Sequence, residues 1–204
     1  MFESLLSFSL ATLVLALSPG PDNIYVLTQS LVNGSRSGIA TTAGLISGCI
    51  VHTALLAFGV SAIITASEVL FYLIKVLGAL YLLFLAFQVF KSDSSVSFTE
   101  NAPKKSYASL FKQGVVMNLL NPKVMIFFLA FFPAFLWNPN EGTADQFFIL
   151  GGTFMVVSFV IFSSIALLAG SISSFLSTNN RVGVFMKWLQ ILVFVGIAIY
   201  ILIP

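Results

Sequence analysis

Six apolar stretches, residues 4–31, 38–60, 69–90, 111–136, 147–176 and 184–203, leave this chain little freedom in how it folds. Each reaches the roughly 20 residues that an α-helix needs to cross the hydrocarbon core of a bilayer. Charged residues are only 8% of the 204, against about 25% in soluble domains, so the chain cannot cover a water-facing surface. The expected fold is an all-α integral membrane bundle of six transmembrane helices, a single domain over 1–204. Ser, Asp, Glu, Asn, Pro and Lys fill residues 91–110, which read as a solvated linker between a first half at about 1–90 and a second at about 111–204. No Lys or Arg precedes the first apolar run and no small-residue cleavage site ends it, so that run is expected to be a retained helix.

Composition also removes several function classes. The net charge of +2 comes from nine basic residues spread along the chain, which make no nucleic-acid-binding patch. One cysteine, Cys49, and one histidine, His52, allow no internal disulfide and no Cys/His metal site. Neither a metal nor a cofactor is expected. The basic residues set the orientation instead. Arg36, then Lys91, Lys104, Lys105 and Lys112, then Arg181 follow the first, third and fifth segments, while Glu3, Glu68, Glu141 and Asp145 fall on the opposite side. The odd-numbered connections are therefore expected to face the cytoplasm and both termini to face outward.

Within the first segment, Ser18-Pro19-Gly20-Pro21-Asp22-Asn23 interrupts an otherwise lipid-compatible run. Proline has no amide proton for the helix ladder and its ring clashes with the preceding turn. Backbone opened in this way is tolerated at membrane depth only where protein or a water-lined cavity satisfies it. Asn118-Leu-Leu-Asn121-Pro122-Lys123 interrupts the fourth segment in the same manner. Paired interruptions in corresponding positions of two halves point to a transporter's substrate site, and three helices per half make the repeats inverted.

The polar residues at these breaks each carry two readings. Asp22 is a carboxylate that pairs with a substrate ammonium or carries a proton, or it caps the second half of its helix. Asn23 has the same two readings, with capping foremost. Asn118 and Asn121, three apart, share a helix face and either line the cavity or bond to backbone freed by Pro122. Lys123 lies about 18 Å into its segment, too deep to snorkel easily, and either pairs with Asp22 or attracts a substrate carboxylate. Ala40, Gly44, Gly48 and His52 recur every four residues. The small ones form a close-packing stripe, facing either a second copy in a homodimer or another helix of the same chain. His52 is either a proton relay or a hydrogen-bonding group between helices. The many Phe residues read as lipid-facing or core material.

Taken in order, the Ser18–Asn23 break, Gly44-x-x-x-Gly48, the Lys75-Val-Leu-Gly78-Ala-Leu-Tyr81-Leu run and Asn118-Leu-Leu-Asn121-Pro122-Lys123 resemble the LysE/RhtB family of bacterial amino-acid exporters over nearly the whole chain. The resemblance implies export of amino acids or close derivatives across the inner membrane, driven by the proton gradient. It places the pathway at Pro19, Gly20, Pro21, Asp22, Asn23, Asn121, Pro122 and Lys123. Few acidic groups lie on that path, which favours a neutral substrate such as threonine, homoserine or leucine over lysine.

The rival classes lack parts. An enzyme would need a nucleophile with a partnered base or a pair of carboxylates, and Asp22 is the lone Asp in the spans. A channel would show rings of charge or carbonyl filters. A channel, or a transporter for another small metabolite, stands as the alternative.

Overall fold

The computed structural model describes residues 1–18, 20–91, 104–172 and 180–202, with the backbone alone at Thr65, Glu68, Pro122, Lys123, residues 180–183 and Met186. Helix α1, Phe2–Leu17, stops at Ser18, whose φ of −66° and ψ of 125° are extended. The residue before a proline is pushed out of the helical region by the proline ring, so the next position sets this stop. Gly20 is also extended, and α2, Pro21–Asn33, restarts with Pro21 in its first turn, where a missing amide proton costs nothing. Gly34, at a φ of 85°, ends α2. That left-handed region is open to glycine without strain.

Helix α3, Ser35–Leu55, passes through a π-helical turn at Leu56–Val60 into α4, Ser61–Ala66. Helix α5 is Glu68–Lys91. Helix α6, Tyr107–Leu120, is capped by Ser106, whose Oγ accepts from the Ser109 amide at 3.3 Å. Asn121, again the residue before a proline, is extended at φ −82° and ψ 101°. Helix α7, Pro122–Phe131, then runs into a 3₁₀ turn at Phe132–Phe135. Helix α8 is Thr143–Leu167 and α9 is Asn180–Leu202. The expected linker at 91–110 is shorter at both ends, since α5 continues through Lys91 and α6 begins at Tyr107. Helix α8 ends at Leu167 with Leu168 in a turn, residues 169–172 are helical again, and the expected end at 176 lies outside the described residues.

Three stretches are single helices long and apolar enough to cross a membrane: Ser35–Ile64, Val69–Lys91 and Thr143–Leu167. The pairs α1/α2 and α6/α7 each qualify as one bent span, with bends of 59° and 58°, which brings the number to five among the described residues. Lys187–Leu202 of α9 is a shorter apolar helix. Large apolar side chains such as Phe2, Leu10, Phe58, Leu77, Phe84, Val160 and Leu192 face outward, while Thr12, Gln29, Thr41, His52, Asn118, Ser158 and Gln190 are buried. Water-soluble proteins avoid such large exposed apolar surfaces; a surface facing lipid tails has no reason to.

Helix α3 lies between α6 and α8, α5 packs along α9, and α1 packs on α8. Phenylalanines of α1, α7 and α8 form the core, with Phe8 and Phe132 edge-on at 5.1 Å and Phe128 stacked on Phe132 at 4.3 Å. At one end, Gln146 ties down the turn before α8. Its Oε1 accepts from the amides of Trp137 (2.9 Å) and Asn138 (3.1 Å), and its Nε2 donates to the carbonyls of Asn138 (2.7 Å) and Glu141 (2.8 Å).

Candidate functional site

Each break frees backbone carbonyls at the C-terminal end of its first half-helix, and each is closed by a side chain. At the first, Asn23 Nδ2 donates to the carbonyls of Ala16 at 2.8 Å and Ser18 at 3.1 Å. Asn23 therefore caps the end of α1 behind it; the cap expected for α2 is formed by Gly20, with no side-chain hydrogen bond. At the second break, the Asn118 carbonyl is the one whose ladder partner would be the nitrogen of Pro122. It accepts instead from the Asn121 amide at 3.2 Å and from His52 Nε2 at 3.4 Å. A carbonyl oxygen has no proton to give, so this contact requires the Nε2–H tautomer of His52. The ring, 4% exposed, also lies 5.4 Å from that of Phe128.

Both breaks open onto one cavity of about 100 Å³. A water needs roughly 10–15 Å³ on this measure, so several waters or a molecule the size of a small amino acid fit. Its wall takes Leu15, Ala16, Ser18, Gly20, Pro21, Asp22 and Asn23 from the first break, and Asn118, Asn121, Val124 and Phe127 from the second. Helix α3 adds Leu45, Ile46 and Cys49; α8 adds Phe154, Ser158 and Phe162; α9 adds Gln190 and Phe194. Asp22 is the one wall residue among those described whose side chain is formally charged at neutral pH. Asn118 donates from Nδ2 to the Cys49 sulfur at 3.6 Å, while its Oδ1 has no partner among the described residues. The hydroxyls of Ser18 and Ser158 are also buried without one. A buried polar atom left unpaired costs roughly 1–3 kcal/mol, so this wall is poised for a polar guest.

The structure thus brings together Gly20, Pro21, Asp22, Asn23, Asn118 and Asn121. Asn118 does not turn back to the freed backbone; its side chain faces the cavity wall and Cys49. Pro19 lies outside the described residues, as do the side chains of Pro122 and Lys123, whose backbone opens α7. His52 stands behind the wall, joined to it through Asn118. The stripe on α3 turns to α6 of the same chain. A β-carbon on Gly44 would land on the Phe111 carbonyl, and one on Gly48 would sit 2.5 Å from Asn118 Oδ1. Ala40, one turn earlier, is half-buried.

Ser158, Gln190 and the wall phenylalanines were missed by sequence reasoning. Ser158 and Gln190 are isolated polar residues in apolar helices, the signal that marks functional positions in membranes. Phe127, Phe154, Phe162 and Phe194 carry no such signal, since a phenylalanine facing a cavity and one facing lipid look alike in sequence.

An apolar-faced helical bundle whose two proline-broken helices meet at an internal cavity, with a few polar side chains in a mostly apolar wall, has the build of a membrane translocator. The chain belongs to the LysE-type translocator family, whose model matches residues 13–204. It is 33% identical over 175 residues to a homoserine/homoserine lactone efflux protein of Salmonella typhimurium, covering 86% of this chain and 84% of that one. The protein of the same description from Salmonella typhi aligns with the same identity and coverage. A Vibrio cholerae protein named only as an uncharacterized membrane protein is 29% identical over 86% of this chain and 85% of its own length. No solved structure matches.

Proposed function

We propose that this protein exports small neutral amino acids or their close derivatives across the bacterial inner membrane, by proton antiport and alternating access. The observation that carries this reading is the cavity where the two breaks meet, its wall bearing unpaired polar atoms of Ser18, Asn118 and Ser158. The efflux proteins of Salmonella point the same way, being named for homoserine and homoserine lactone.

In this reading a zwitterion enters from the cytoplasm. Its ammonium meets Asp22, the carboxylate of the described wall, which attracts a cation more strongly than a neutral carbonyl does. Its carboxylate meets the N-termini of α2 and α7, whose dipoles favour anions, together with Lys123 at the start of α7. One carboxylate in the described wall suits one substrate ammonium and disfavours a second cation such as a lysine side chain.

The architecture behind this reading is six spans in two inverted halves, α1–α5 and α6–α9, with both termini outside. Two features support it: the near-equal bends, and the pairing of α3 with α8 and α5 with α9, which are corresponding members of the two halves. Rocking of one half on the other would then expose the cavity alternately.

The test is efflux of homoserine from preloaded proteoliposomes under an imposed proton gradient. Native protein is expected to give saturable flux that follows the gradient, and Asp22→Asn to lose the coupling. Coupled flux surviving in Asp22→Asn would remove the carboxylate from proton transfer. Flux that rises linearly with concentration and ignores the gradient would replace the antiporter with a channel.

A further inference from the structure

Helices α8 and α9 bring to the cavity two polar side chains that neither break supplies. On α8, Phe154, Ser158 and Phe162 follow one another at intervals of four residues, hence along one face, and all three line the cavity. Ser9, Ser30, Thr41, Ser47 and Ser164 each donate to the carbonyl four residues back in their own helices. Ser158, 3% exposed, does not; its Oγ is buried with no partner among the described residues. On α9, Gln190 is 5% exposed, stands one turn from Phe194 and lines the same cavity. A hydroxyl and an amide, each flanked by phenyl rings, therefore face the same small space.

We infer that Ser158 and Gln190 are specificity-determining residues that select substrates carrying an uncharged oxygen, a hydroxyl or an ester-type carbonyl, on a short side chain. The inference rests on the export reading above and deepens it. In that reading the breaks of α1/α2 and α6/α7 handle the ammonium and carboxylate common to all amino acids, which leaves α8 and α9 to read the side chain. An aliphatic side chain would fill the space among the rings, leave the Ser158 hydroxyl unpaired and give the Gln190 amide nothing to bond. A site built to hydrogen-bond a substrate hydroxyl rejects the analogue lacking it more strongly than an apolar pocket rejects a change of one methylene. A cationic side chain would find no second carboxylate in the described wall.

The test compares L-homoserine with L-2-aminobutyrate, which differ by one hydroxyl. Their concentrations for half-maximal rise of the thermal unfolding midpoint are measured on the purified full-length protein in detergent, where a ligand that binds the folded state raises that midpoint. Native protein is expected to require about tenfold less homoserine, the low end of what an unpaired buried group implies. Ser158→Ala and Gln190→Leu should each bring the two ligands within about threefold, and Ser158→Thr, which keeps the hydroxyl, should keep the preference. Equal half-saturation by the two ligands in the native protein would overturn the inference even if a truncated variant did not fold. So would an unchanged preference in both truncated variants. A midpoint that moves with neither ligand would sink the export reading itself, a result distinct from one in which both bind equally.

Discussion

The amide of Asn23 reaches back seven residues to Ala16 and five to Ser18, joining the two pieces of a helix that Pro19 and Pro21 separate. Asn23→Ala removes both bonds and leaves the Ala16 and Ser18 carbonyls without their amide donor. At about 0.5–1.5 kcal/mol per bond, the loss in unfolding free energy is about 1–3 kcal/mol. Asn23→Asp should not restore it, since a carboxylate cannot donate. Chemical unfolding in detergent measures both variants. His52→Phe should lose less than Asn23→Ala, because the Asn118 carbonyl keeps the Asn121 amide. The sequence made the breaks and most of their polar residues legible, since prolines and amides inside an apolar run have few explanations. It did not reveal that Asn23 caps backward and not forward, because capping patterns are read along the helix that follows. Nor did it reveal the inward aim of Ser158 and Gln190. In helices apolar all round, periodicity no longer says which face is inside.

At the scale of elements, α3 and α6 approach to backbone contact. A β-carbon on Gly44 would meet the Phe111 carbonyl, and one on Gly114 would meet the Thr41 carbonyl and lie 2.8 Å from the Leu45 amide nitrogen. The obstacles are main-chain atoms, which cannot swing aside as a side chain would. Gly44→Ala is therefore expected to lower stability by about 1–3 kcal/mol, the range for overpacking a tight interface. Gly152→Ala on α8 supplies the control, since nothing lies within 4 Å of its added carbon. It should be neutral or stabilising by up to about 1 kcal/mol, because alanine is the better helix former. Unfolding of the two variants side by side decides, and equal losses would show that the contact carries no strain. The four-residue spacing on α3 announced a close-packing face, but its partner could not be read. The breaks bend the α1/α2 and α6/α7 spans by nearly 60°, and that bend decides what lies opposite α3.

At the scale of the whole molecule, the cavity is walled by both bent spans together with α3, α8 and α9, while α5 contributes no wall residue among those described. Helix α5 instead packs along α9, a place suited to scaffolding. The chain's single cysteine lies in the wall, on α3, within reach of the Asn118 amide. If access alternates, a membrane-impermeant maleimide should alkylate Cys49 from either face of a vesicle but at rates that a homoserine gradient shifts in opposite directions. Equal labelling from both faces, whatever the gradient, would describe an open pore. The same placement carries a liability for a cell that depends on this protein. Soft metal ions such as mercury(II) and silver(I) seek thiolate, and here the chain's single thiol borders the cavity that the proposed export reading fills with cargo. On that reading, mercury(II) should inhibit homoserine efflux from proteoliposomes once access to the cavity opens, and Cys49→Ser should remove the inhibition.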